Sequence, residues 1–341
     1  MAPPELDFGP APDVLGDWFV RNRRNLPWRT PVGVLRDPWK TLVSEVMSQQ
    51  TRLEVVVPRF LKWMNLFPTP SALARASEEA VLSAWAGLGY YSRARNLRRA
   101  AIQVTENGWP RTTVELGKLP GLGPYTAAAV ASLAFGERVA MVDGNVIRVL
   151  SRLRALATDP RSTSGARKIA ELARIWVSDG DAGLWNEATM ELGATVCTPR
   201  NPDCPNCPLS DLCRAAALGE PEKFPTPKPR AETVRIRRAS LVVQGPDGIL
   251  LRRAAQDELL RGLWILPAEG DHPDLKVSGM SWGEVRHSIT RHDVRWTVAP
   301  GTWIGTALPE GWSWCPRRKL SERIVSSLPH KALALAGLAP T

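Results

Sequence analysis

Through the first 218 residues apolar positions recur at the three-to-four spacing of helices; strand-like alternation begins only after residue 233. Asp13 is placed to cap a first helix running to about Arg24. Asp37-Pro38 then pairs an N-cap with a proline at the first helical position. That second helix carries Trp39, Leu42, Val43, Val46 and Met47 on one arc. Glu45 falls outside the arc beside Gln49, so a solvated glutamate is the simpler expectation there. From Val55 to Ala155 helical patterns alternate with short Gly, Pro or Ser breaks, and helices resume at about 165–178 and 183–196. After a proline-rich charged linker at 219–233, Ser240–Val243, the turn Gly245-Pro-Asp-Gly248 and Ile249–Arg252 read as a β-hairpin. Val294–Val298 and Gly301–Ile304 suggest further strands, and Pro316–Leu328 an amphipathic helix on Leu320, Ile324 and Leu328. The pattern predicts a mobile stretch 1–12, an all-α domain 13–218, and a smaller α+β domain 234–341.

Composition changes this picture in one respect. Hydrophobic residues at 44% and charged residues at 23% describe an ordinary globular chain, but the formal net charge is +10, which favours a polyanionic partner. No apolar run reaches membrane-spanning length and the proline-rich start lacks a signal-like core, so a cytoplasmic, nucleoid-associated protein is expected. Four of the five cysteines fall within residues 197–213 as Cys197-x6-Cys204-x2-Cys207-x5-Cys213. Four thiolates in so short a loop converge on a metal: an iron–sulfur cluster, or zinc as the alternative. Cys315 stands apart and reads as a free thiol.

Leu119-Pro-Gly-Leu-Gly123 is a turn whose glycines, Gly121 and Gly123, let backbone approach a ligand. Pro124 then opens a helix, so free amides there suit one phosphate. Asp143-Gly-Asn145 precedes another helix, where a carboxylate is held ionised. Each feature alone has a plain structural explanation, a turn and an N-cap. Together, and with Ser44–Thr51, they resemble the helix-hairpin-helix endonuclease III superfamily of DNA base-excision glycosylases, and within it the MutY-type adenine glycosylases; lyase-type relatives carry a lysine where Tyr125 stands. The cysteine spacing matches the [4Fe–4S] loop of that superfamily. The segment Leu251-Arg-Arg253 with Gly262–Pro267 is similar to the start of the Nudix-like domain of MutY proteins, without the glutamate cluster needed for hydrolysis.

The resemblance implies a fold: a helix-hairpin-helix domain (119–133) with a cluster loop (197–213), then a non-hydrolytic, Nudix-like lesion-recognition domain. It implies a monofunctional enzyme, a monomer, that removes adenine opposite 8-oxoguanine or guanine from duplex DNA. Glu45 would protonate the base and Asp143 stabilise the sugar cation, with Tyr125 hydrogen-bonding near Asp143 and Asn145 holding it. Trp28, Arg29 and Glu187 would line the adenine pocket. Gln50, Thr51, Leu88 and Tyr90 would fill the gap opposite the extruded adenine and touch 8-oxoguanine, and Thr290 would supply the hydroxyl of a lesion-reading loop. There this chain departs from the family, with Ile289-Thr290-Arg291 where Phe-Ser-His is usual. The alternatives are an endonuclease III-like lyase, which needs an amine nucleophile, and a non-catalytic iron–sulfur DNA-binding protein.

Overall fold

A computed structural model describes residues 8–177, 181–227, 232–289 and 291–338. The chain divides into two compact units, Met1–Arg75 with Arg95–Lys228, and Ala76–Ala94 with Pro229–Thr341. The stretch 76–94, expected within the helical domain, thus groups with the C-terminal residues.

The helices in chain order are α1 (Ala11–Asn22), α2 (Pro38–Ser48), α3 (Leu53–Leu66), α4 (Pro70–Arg75), α5 (Glu78–Ala84), α6 (Ser92–Asn107), α7 (Thr113–Leu116), α8 (Pro124–Phe135), α9 (Gly144–Arg154), α10 (Thr163–Trp176), α11 (Ala182–Thr195) and α12 (Arg214–Ala217). Several start where the sequence says they must. Asp37 accepts a hydrogen bond from the Lys40 amide at 2.8 Å, and Asp143 caps α9. The first helix differs: its N-cap is Pro10, and Asp13 lies in the first turn. It also ends at Asn22. Nor is the chain loose from Phe8 to residue 12. Phe8 is buried edge-on against Trp176 at 4.8 Å between centroids, with the Arg154 guanidinium 4.2 Å over its ring.

In the first unit α1, α9, α10 and α11 surround one core that includes Leu15, Phe19, Leu150, Leu172 and Trp176. The alanine-rich helix α8 is buried from Thr126 to Ala134 and packs against α2. The hairpin turn before it needs a left-handed residue at Gly121 (φ +81°), where a Cβ would meet Asn96 at 2.5 Å. Gly123 has an ordinary backbone, and the space where its side chain would stand is open.

The second unit holds a mixed sheet. Its strands are β1 (Val234–Gly245), β2 (Gly248–Arg253), β3 (Trp264–Ile265), β4 (Leu275–Val277), β5 (Gly283–Ile289), β6 (His292–Trp303) and β7 (Trp312–Cys315). The β1–β2 hairpin turns at Gly245–Gly248 as expected. The long ladder pairs β1 with β6 in parallel, from Val234↔His292 to Val243↔Gly301. What reads as two strands is one, because Pro300 and Gly301 continue β6 without a break. The region 316–328 is broken: α13 (Leu320–Arg323) stops at an extended Ile324, and α14 (Ser327–Leu335) begins after it. Leu320, Ile324 and Leu328 are nevertheless all buried together. Among the described residues no helix is long and apolar enough to cross a membrane.

Candidate active site and iron–sulfur centre

Glu45 is buried, against expectation. An arc on one helical face allows for one packing partner, but α2 packs against both α3 and α8. The Tyr125 hydroxyl, from the first turn of α8, donates to Glu45 Oε2 at 2.7 Å. Burial raises the pKa of Glu45, and the charges of Glu187 and Asp143 push the same way. The Tyr125 hydrogen bond and the Arg36 charge oppose them. Tyr125 therefore bonds Glu45, where a bond near Asp143 was expected. Its phenol is pushed well above the ordinary value by burial and by both carboxylates.

Asp143 is held by donors. Oδ1 accepts from the amides of Asn145 and Val146, each at 2.8 Å, and Oδ2 accepts from Asn145 Nδ2 at 2.8 Å. Burial still lifts its pKa above the ordinary value, a correction to the expectation of a carboxylate simply stabilised by its helix. Between the two acids the donors decide which takes a proton. Three N–H groups match an acceptor-only carboxylate at Asp143, whereas among the described residues Glu45 has the single Tyr125 hydroxyl.

Asn145 is itself fixed by Arg148, whose Nη2 donates to Asn145 Oδ1 at 2.8 Å and to the Gly193 carbonyl at 2.7 Å. Nε of the same guanidinium donates to the Cys197 carbonyl at 2.7 Å. One side chain thus ties the Asp143 cap to the first cysteine of the cluster loop.

All four loop cysteines line one cavity of about 290 Å³ together with Arg152. Arg152 supplies the fit. It is buried, its Nη1 lies 3.3 Å from Cys197 Sγ, and its other contacts are carbonyls of Thr198, Pro199, Pro221 and Phe224. A buried guanidinium surrounded by neutral carbonyls calls for an anion, and thiolates around iron provide one. Burial pushes the Cys207 thiol up to about 12, so on its own it would stay protonated.

Residues 43–189 match the model of the HhH-GPD superfamily base excision DNA repair proteins, and residues 197–213 match the iron-sulfur binding domain of endonuclease III. An adenine DNA glycosylase of Mycolicibacterium smegmatis is 43% identical over 215 residues, a match covering 62% of this chain and 71% of that one. The chain belongs to the adenine DNA glycosylase family. The human adenine DNA glycosylase is 46% identical over 215 residues, which cover 61% of this chain but only 39% of the human protein. Among solved structures, a thermostable thymine-DNA glycosylase superposes with a TM-score of 0.55 at 26% identity, covering 62% of this chain and 97% of that one. A trapped endonuclease III–DNA covalent intermediate gives 0.50 at 26%, over 61% and 94%. As in its family, the chain carries a [4Fe–4S] cluster at the four cysteines.

The remaining expected residues are placed unequally. Arg29 and Glu187 meet at 2.9 Å, inside a ladder that sequence reading missed. Arg24 and Arg29 both bind Glu191, and Arg36 joins Arg29 on Glu187. The Arg29 guanidinium also reaches the Arg24 carbonyl, so each of its three nitrogens donates within the protein. Trp28 is buried edge-on to Phe60. Gln50 (φ 55°) and Tyr90 (φ 47°) both hold left-handed backbones that non-glycine residues seldom adopt, and both are exposed. Thr51 is half-buried, whereas Leu88 is buried. Thr290 lies outside the described residues. Nothing in local sequence pairs Arg24 with Glu191, 167 positions away; the only hint is a pair of glutamates, Glu187 and Glu191, one turn apart on α11.

Proposed function

We propose that the chain is a monofunctional adenine DNA N-glycosylase of base excision repair, acting on adenine opposite 8-oxoguanine or guanine in duplex DNA. The observation that carries this reading is the pair Glu45, buried, and Asp143, half-buried, within electrostatic reach of each other but in different hydrogen-bonding environments. Hydrolysis of an N-glycosidic bond needs a proton on the departing base and a negative charge beside the developing sugar cation. Glu45, raised by burial, holds the proton for the base. Asp143, gripped by three N–H donors, remains the anion. Tyr125 orients the Glu45 carboxyl. A base must leave the stack to reach them, and Gln50, exposed on a left-handed backbone, is a candidate for the space it vacates. The open space beside Gly123 leaves room for a DNA phosphate at the start of α8. Tyr125 is no amine, and a Schiff base has no nucleophile at that position. The cluster fixes the loop 197–213 and, through Arg148, the cap that holds Asp143.

The second unit suits a Nudix-like module that recognises rather than cleaves. Its clustered carboxylates, Glu258 and Asp271, are both neutralised by Arg238 and Arg252. An excision assay tests the whole reading, on duplexes with adenine opposite 8-oxoguanine, guanine or thymine, with and without alkaline workup. Adenine release that yields strand breaks only after alkali supports it. Breaks without alkali would indicate a lyase, and no release from any duplex would leave a DNA-binding protein.

A further inference from the structure

Asn186 is a buried polar side chain on α11 that the proposed reaction does not touch. It faces the chain between α8 and α9. Residues 136–142 there form neither helix nor strand, yet Met141 is buried. Backbone polar groups in such a stretch need partners that no ladder provides. One side chain supplies two of them. Asn186 Oδ1 accepts from the Met141 amide at 2.9 Å, and Nδ2 donates to the Val139 carbonyl at 2.8 Å. The carboxamide thus stands in for the missing neighbour strand. Nδ2 also donates to Ser132 Oγ of α8 at 2.9 Å. With an N–H on one side and two acceptors on the other, only one orientation of the amide satisfies all three partners.

What this stretch carries gives the contact its meaning. Asp143 follows Met141 by two residues and caps α9. The Met141 side chain is buried with Ala128, Ala129 and Leu133 of α8, and Tyr125 packs against the same cluster. Tyr125 in turn donates to Glu45. Both acids are therefore supported from residues 139–141, Asp143 through the backbone and Glu45 through the Tyr125 ring.

We propose that Asn186 is a positioning residue for the glycosidic step: by pairing with Val139 and Met141 it sets the spacing of Asp143 and the Tyr125–Glu45 pair around the base. This rests on the roles proposed above for Glu45 and Asp143. Alanine at 186 leaves the buried Met141 N–H without its partner, which is costly enough that the stretch moves to find another. A displacement of about 1 Å at a reacting group costs on the order of a hundredfold in rate.

The test compares Asn186→Ala with Thr189→Val in the cluster-loaded full chain. Thr189→Val removes another buried hydrogen bond of α11, the one from Trp176 Nε1 at 2.8 Å, which does not involve residues 139–141. Asn186→Ala should bind a duplex with adenine opposite 8-oxoguanine within about threefold of the parent, and release adenine on the order of 10–100-fold more slowly in single turnover. Thr189→Val should keep the parental rate. Amide exchange should quicken at residues 139–142 in Asn186→Ala and not in the interior of α8. A parental rate in Asn186→Ala, an equal rate loss in Thr189→Val, or a rate loss matched by lost DNA affinity would overturn the proposal. Should Asn186→Ala melt too early to assay, Asn186→Asp takes its place. Its carboxylate keeps the acceptor for Met141 but has no donor for Val139, so slow release with intact binding is again expected, and a parental rate overturns the proposal. If the parent itself releases no adenine, the Glu45–Asp143 reading is what fails; unchanged exchange at residues 139–142 would then still show that Asn186 does not anchor them.

Discussion

Replacing Tyr125 with Phe removes one oxygen and keeps the ring. That oxygen donates to Glu45 Oε2 at 2.7 Å, in a site where the carboxyl is buried. A hydrogen bond to a charged group contributes about 1.5–3 kcal/mol net. It favours the ionised form of Glu45, so losing it tilts that equilibrium toward the acid by roughly ten- to a hundredfold. If Glu45 is the proton donor, the variant keeps its working form to higher pH. The alkaline limb of the single-turnover rate therefore moves upward, while the plateau falls a few-fold because a weaker acid gives up its proton less readily. Tyr125 itself does not confuse the profile, since its phenol is pushed well above its ordinary value and stays protonated. Single-turnover excision from about pH 5 to pH 10 reads the effect directly. An alkaline limb that stays in place, or moves to lower pH, would refute the role assigned to Glu45 and its partner.

Three other outcomes are expected. Glu45→Gln should lose on the order of 10²–10⁴ in excision rate. It should also melt higher than the parent at alkaline pH: a carboxyl whose pKa is raised by folding gives its full stability below its unfolded value and loses it as pH rises through the folded one. A melting difference that grows toward acid would contradict this sign. In Glu191, burial is outweighed by hydrogen bonds from Arg24 and Arg29, which leave its pKa at about 2. Its contribution is present above the ordinary carboxylate range and lost as pH falls toward that value. Glu191→Gln should cost about 3–5 kcal/mol at neutral pH, because two guanidinium groups lose a buried partner; denaturant melts showing under 1 kcal/mol (~) would rule out the ladder as a stabilising element. Removing iron should leave Arg152 buried without its anion and lower the melting temperature, and an unchanged melt after complete iron loss would mean that Arg152 needs no such partner.

Local signals carried much of the site. Asp37-Pro38 and Asp143-Gly-Asn145 announce helix starts because capping depends on neighbouring residues only, and both caps form as written. The four cysteines are legible for the same reason: one short loop brings them to one cavity. What the chain conceals is long-range. Periodicity placed Glu45 on a polar flank, since a one-face arc cannot reveal that α2 is covered by two helices. The Arg24–Glu191–Arg29–Glu187–Arg36 ladder joins α11 to the loop before α2, and no spacing rule reaches so far. The grouping of Ala76–Ala94 with the C-terminal unit was equally hidden; there the Tyr91 hydroxyl donates to the Val325 carbonyl, and Arg323 lies 3.6 Å from Glu79. A truncation at residue 234 would strip those partners from the stretch carrying Leu88 and Tyr90. Lesion preference is therefore better tested with point substitutions.

The central claim is that Asp143 acts as the fixed anion of the chemical step, and Asp143→Asn tests it most directly. Asparagine keeps one oxygen to accept from the Asn145 and Val146 amides, so the start of α9 should survive. Single-turnover excision on a duplex with adenine opposite 8-oxoguanine, with binding to the same duplex measured in parallel, should show near-parental affinity and a rate lost by several orders of magnitude. A variant that binds and still releases adenine at close to the parental rate would remove Asp143 from the mechanism, and with it the account given for this site.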